Sequence, residues 1–170
     1  MTPEDIVAKF AHSLDKFDPI DGQPSDTNLT RLREAITPLL LPIMDDETVA
    51  VHNLIGFIRP EAAYVACYGD VFPDPTRVRA YDATIDDDAT SVVRARSEAS
   101  HKAKHANHAT YETARRETTQ FVLDVVADTW VCELHDSNLL YTEFDPKYIL
   151  AHIQVGCTGR HALDLLALHF

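Results

Sequence analysis

Apolar positions in this chain recur mostly three and four residues apart, the period of a helix that buries one face. Ile6, Val7, Phe10 and Leu14 form the first such stripe. Thr2 stands where an N-cap belongs, Pro3 suits the first helical position, and Glu4 and Asp5 suit the positive end of the dipole. Asp18-Pro19 through Gln23-Pro24, with two prolines and a glycine, reads as a loop. Ser25 or Asp26 can cap a second helix bearing Leu29, Leu32, Ile36 and Leu39/Leu40, with Pro38 and Pro42 limiting its end. Asp45-Asp46-Glu47 suits the start of a third helix, through Val49, Val51, His52, Leu54, Ile55 and Ile58 to the stop at Pro60. A short apolar piece over 62–68 ends at Gly69-Asp70. Strand stays open for these last two pieces, because short apolar runs do not separate helix from strand by period. Phe72-Pro73-Asp74-Pro75 is a loop, so a subdomain joint is placed near 70–76.

Seventy consecutive residues from Thr76 to Asp145 then contain neither glycine nor proline. The absence of both breakers predicts long, little-interrupted helix. Asp86-Asp87-Asp88 gathers acids where a helix N-terminus favours them. A thin seam of small residues follows: Val92, Ala95, Ala99, Ala103 and Ala106. Such a seam buries little area yet lets another helix approach closely. From Phe121 the pattern thickens through Val122, Leu123, Val126, Ala127, Trp130 and Leu134, the expected centre of the core. An unbroken helix over 86–134 would run about 70 Å. It should therefore kink or break near 107–110, or else project. Asp145-Pro146 restarts a helix with Tyr148, Ile149, Leu150 and Ile153, and Gly156-Cys157-Thr158-Gly159 turns the chain into a last one with Leu163, Leu166, Leu168 and Phe170. The expected fold is all-α: a single multi-helix domain over 1–170 with a long central helix. The apolar ending at Phe170 has three readings, a buried end, a partner-binding end or a chain truncated at its C-terminus, and the last is preferred.

Composition sharpens this picture in two places. The formal charge is −12, with 15 Lys and Arg against 27 Asp and Glu. Within 77–116, however, eight bases face six acids, whereas the rest of the chain holds seven against twenty-one. Basic excess is thus confined to one segment of an acidic protein. It reads either as a solvated face paired with the acidic body or as a docking strip for an acidic partner. Cys67, Cys132 and Cys157 form no Cys-x-x-Cys pair, which suits free thiols in a reducing compartment. Cys132, amid apolar residues near Trp130, is expected to be a core thiol. The acidic start and the lack of any long apolar run give no signal peptide and no membrane span, so a cytoplasmic location is expected.

Candidate chemistry is sparse. His101, His105 and His108, at i, i+4 and i+7, share one helical face, where imidazoles can bind a transition metal or charge near pH 6.5. With Lys102 and Lys104 beside them and no fourth ligand, a solvated face is the plainer reading, and no cofactor is assigned. Glu98-x-x-His101 has the spacing of a di-iron ligand pair, but no second Glu-x-x-His exists in the chain. His135-Asp136, with His105 or His108 upstream and Asp164 downstream, follows the ligand order of helical metal-dependent phosphohydrolases. That supplies an enzymatic alternative. His161 and Asp164, an i, i+3 pair, read as structural. No nucleophile elbow, phosphate-binding loop or dinucleotide fingerprint is present.

The run Tyr111-Glu112-Thr113-Ala114-Arg115-Arg116-Glu117, the stretch from Phe121-Val122-Leu123 to Trp130 and Leu134, the link at Tyr141-Thr142 and the helix at 147–154 together resemble Gag-like regions of copia-type LTR retrotransposons. The likeness extends back to 64–85 and forward through Gly159-Arg160-His161-Ala162-Leu163-Asp164, about the C-terminal two-thirds of the chain. It implies a helical, capsid-like, non-enzymatic domain that self-associates into particles around RNA. Two departures stand out: the Cys-x-x-Cys-x4-His-x4-Cys zinc knuckle is absent, and Tyr148 stands where tryptophan is common in that family. The resemblance makes the basic helix an assembly or RNA-facing surface, with Arg94, Arg96, Lys102, Lys104, Arg115 and Arg116 as its contacts. A monomeric helical adaptor remains as a further alternative.

Overall fold

The computed structural model describes residues 1–43, 53–72, 90–135 and 145–167, with side chains to residue 156 in the last stretch. Five helices are described: α1 (Pro3–Leu14), α2 (Asp26–Leu40), α3 (Glu61–Tyr68), α4 (Ser91–Val125) and α5 (Pro146–Ala167). Short 3-10 turns occupy Leu54–Phe57, Asp128–Trp130 and Cys132–Leu134. No strand occurs among the described residues, and the all-α class stands.

Helix starts follow local chemistry. Thr2 and Asp5 form a reciprocal capping box on α1, and Ser25 with Asn28 forms another on α2. Pro146 opens α5, and the Asp145 carbonyl accepts from the Tyr148 and Ile149 amides. The stop signals were less decisive. Helix α2 runs through Pro38 to Leu40, because proline's fixed φ is helical and only one backbone bond is lost. Burial of Ile36 and Leu40, both 0% exposed, outweighs that loss. The 62–68 piece is helical and ends at Gly69, whose φ of 84° is the left-handed conformation of a helix C-terminus. Leu54–Phe57 is a 3-10 turn begun by Asn53, where a longer third helix was expected; residues 45–52 lie outside the described residues. So do 73–76 of the expected joint.

The core sits where α1, α2 and α5 pack on the C-terminal half of α4. Phe121 meets Phe10 and Phe17 edge-on, with centroids 6.3 and 5.7 Å away. Leu29, Leu32, Ile36 and Leu40 bring the buried stripe of α2, and Ile149, Leu150 and Ile153 that of α5. Phe57, Tyr64, Phe72 and Tyr111 form an aromatic cluster beside them. A β-carbon at Gly56 would run into the Phe72 ring, so that position needs glycine. Leu123 and Leu134 lie at the edge of the core, only partly buried.

Three expectations are corrected. Helix α4 is unbroken through 107–110, which leaves the projecting alternative, and it runs from Ser91 only to Val125, well short of 134. What ends it is tertiary pairing: Val126 is extended, Ile20 and Val126 form a parallel bridge, and the Ile20 amide donates to the Val125 carbonyl at 2.7 Å. Trp130 therefore reaches the core from a 3-10 turn, with its Nε1–H donating to the Gly22 carbonyl at 3.1 Å. Second, α5 continues through Gly156 and Gly159 with no turn. A helical glycine costs only about 1 kcal/mol, and Gly156 sits over the Trp130 ring. Third, Cys132 is exposed, with its thiol directed at the Thr129 carbonyl, and is not a core residue.

Candidate interaction surface

The buried residues of α4 all fall between Thr113 and Val125. Before them the helix is an arm: most residues over 91–106 are exposed, with Val92 and Val93 at 75% and 52%. At 100° per residue, Val92, Ala95, Ala99, Ala103 and Ala106 centre about 70° around the helix from the mean direction of the six buried residues of α4, nearest to Thr113 and Phe121. An exposed seam of small residues thus runs along the arm from the border of the side that packs on the body. The expected close-packing seam exists, but nothing among the described residues covers it.

The sequence-nominated cations divide into two groups. Arg94, Arg96, Lys102 and Lys104 are exposed on the arm, against the single acid Glu98. Relative to Arg94, the other three stand at about 200°, 80° and 280° around the helix axis. They form a collar rather than the single strip the charge count suggested. Arg115 and Arg116 belong to the body. Arg115 pairs with Glu112 at 3.0 Å and reaches Asp145 at the start of α5 at 3.9 Å, and Arg116 pairs with Glu117 at 3.0 Å. The Ile20–Val126 bridge meanwhile brings exposed Asp18 and Asp21 to the same end of the molecule as exposed Asp124 and Asp128. Helix α4, about 50 Å long, therefore carries the basic collar at one end and acids at the other.

His101, His105 and His108 lie about 150° around the arm from the seam, with the His101 and His105 rings 4.6 Å apart. Among the described residues no group of three or more His, Cys, Asp or Glu side chains is placed to hold a metal ion. His135 is exposed, whereas Asp136 and the side chains of His161 and Asp164 lie outside the described residues. No described helix is long and apolar enough to cross a membrane.

One feature has no sequence signal. Between α2, the 3-10 turn and α5 lies a cleft of about 210 Å³, lined by Arg33, Ile58, Pro60, Lys147, Tyr148, Ala151 and Gln154. Arg33 Nη2 donates to Gln154 Oε1 at 3.1 Å, while Arg33 Nε is buried and has no acceptor among the described residues. A buried donor left unsatisfied costs about 1–3 kcal/mol. Burial disfavours the charged guanidinium and lowers its pKa, opposed more weakly by Asp26. Arg33 follows the core residue Leu32 in α2, but nothing in its local sequence sets it apart from a surface arginine.

No protein-family model, no curated protein and no solved structure matches this chain. The class defined by fold and surface is an all-α domain with a projecting, charged helical arm.

Proposed function

We propose that this chain is a non-enzymatic, self-associating structural domain of the Gag or capsid type, from a retrotransposon or a domesticated or truncated copy of one. The observation that carries the reading is the arm: away from the buried half of α4 the helix continues exposed for about four further turns, with a seam of small residues that no described residue covers. The resemblance over 111–153 supports the same reading. The arm's partner is a second copy of the chain, whose acidic end complements the basic collar. A contact between unlike ends of two copies is heterologous, so it propagates into rings or filaments rather than stopping at a dimer.

Light scattering of the purified chain across concentration and ionic strength, with and without RNA, tests this. Concentration-dependent growth that weakens with salt is expected. Reversing Arg94, Arg96, Lys102 and Lys104 to glutamate should abolish growth without unfolding the body. Adding a chain with Asp18, Asp21, Asp124 and Asp128 changed to lysine should restore it. A monomer under every condition would refute the reading and leave the adaptor. Growth only with RNA would make the collar a phosphate-binding surface.

A further inference from the structure

The cleft between α2 and α5 is chemically unlike the rest of this surface. In a chain with 27 acids and 15 bases, a half-buried arginine is ordinarily matched by a carboxylate. Arg115 follows that rule through Glu112 and Asp145. Arg33 does not: its hydrogen-bond partner among the described residues is the neutral amide of Gln154, and Asp26 acts on it only through a weaker electrostatic attraction, while the Nε atoms of both arginines are buried without an acceptor among the described residues. A second cation, Lys147, lines the same cleft, and no acid is among the described lining residues. Ile58, Pro60 and Ala151 supply apolar walls, and Tyr148 stands at the rim, 63% exposed. The volume of about 210 Å³ lies below the roughly 300–1,000 Å³ of drug-sized sites, so only a fragment-sized molecule fits.

We propose that this cleft is a binding site for a small organic oxyanion, a carboxylate or phosphate carried on an apolar body, held by Arg33 and Lys147. The planar guanidinium supplies directional donors for two oxygens, and Lys147 supplies a mobile point charge. Ile58, buried, with Pro60 and Ala151 at the open side, gives the organic part an apolar surface to pack on. A ligand seated there bridges α2 and α5 beside the Arg33–Gln154 hydrogen bond. A purely structural Arg33 would need that hydrogen bond but neither the cleft nor Lys147. The site is separate from the arm, so it stands whether or not the chain self-associates.

Ligand-observed fluorine NMR on the full chain separates the possibilities, with fluorobenzoate, fluorophenyl phosphate and neutral fluorobenzyl alcohol as probes and inorganic phosphate as competitor. Saturable binding of at least one aromatic oxyanion is expected, with the alcohol at least about tenfold weaker, the equivalent of one lost ionic contact. The two anions distinguish a carboxylate site from a phosphate site. Inorganic phosphate should compete only weakly, lacking the apolar body. K147Q should weaken binding about tenfold or more without changing helicity, and R33Q should abolish it; should R33Q unfold, K147Q alone decides. Equal binding of the alcohol, undiminished binding in K147Q, or no saturable binding of either anion would overturn the proposal.

Discussion

Ala103→Gly and Ala114→Gly make the same chemical change on nearly the same side of α4, since eleven residues return a helix to within about 20° of its starting direction. Their surroundings differ completely. Ala114 is 0% exposed, and its carbonyl accepts from the Thr118 hydroxyl at 2.7 Å. Glycine there loses about 1 kcal/mol of helix propensity and a buried methyl worth about 0.8 kcal/mol, together about 2 kcal/mol. For a domain of this size that lowers Tm by about 4–8 °C. Ala103 is exposed on the arm, so glycine there costs the same propensity but touches no packing. The arm can fray without unfolding the body, and the global Tm should move by less than about 2 °C. Circular dichroism melts at dilute, monomeric concentration give the two shifts. Amide hydrogen exchange should show weak protection over 91–106 and strong protection over 113–125. Equal Tm losses at the two sites, or equal protection of the two halves, would refute the division of α4 into arm and body.

Three further outcomes follow from single contacts. Trp130→Phe removes the Nε1–H donor to the Gly22 carbonyl while keeping most of the ring, and should cost about 1 kcal/mol by urea unfolding. The Asp5 carboxyl is held below its ordinary value, first by the Thr2 backbone N–H and then by the Thr2 hydroxyl. Because the folded value is depressed, the α1 cap is intact above the unfolded carboxylate value and is lost as pH falls through the folded one, below about pH 4. An NMR titration of the first-turn amides should show that acid step, and D5N should remove it. Cys67 and Cys132 are exposed free thiols, so both should react with a thiol reagent in the native state at rates close to those in denaturant.

Much of the fold was legible because local chemistry decides it. Thr2-Pro3, Ser25 and Asp145-Pro146 start helices where the residues say so. The buried stripes of α1 and α2 follow the period of the sequence, although Val7 is 38% exposed at the margin. Helix ends were less legible. Pro38, Gly156 and Gly159 carry stop signals yet lie inside helices; at Pro38 the burial of Ile36 and Leu40, and at Gly156 the packing on Trp130, offset the roughly 1–3 kcal/mol each signal is worth. Val125 carries no stop signal and ends α4, because its carbonyl is taken by Ile20, a residue over a hundred positions away. The surface divides in the same way. The exposure of the arm follows from its lack of large apolar residues. The pairing of Arg115 with Asp145 and of Arg33 with the neutral amide of Gln154 depend on which helices meet, and no local pattern encodes that.

The arm also sets how strong any self-association can be. Covering Val92 and the four alanines of the seam contributes at most about 5 kcal/mol, at about 0.8 kcal/mol per buried methyl and about 1.5 for valine. Losing the translational and rotational freedom of one chain costs an estimated 4–15 kcal/mol. A single seam therefore cannot hold two copies together at low concentration, and the charge complementarity of collar and acidic end must contribute. Helix energetics point the same way. The buried half of α4 serves as a ready nucleus, so the arm extends without nucleation cost, but each added residue gains little. Docking that covers the seam would lock the arm, and release would let it fray. A head-to-tail contact that is the same at every junction adds each copy with the same affinity. Growth should therefore be gradual with concentration, with dimers and short oligomers preceding longer ones, and a closed dimer that takes up no third copy would contradict the arrangement of charge and seam along α4.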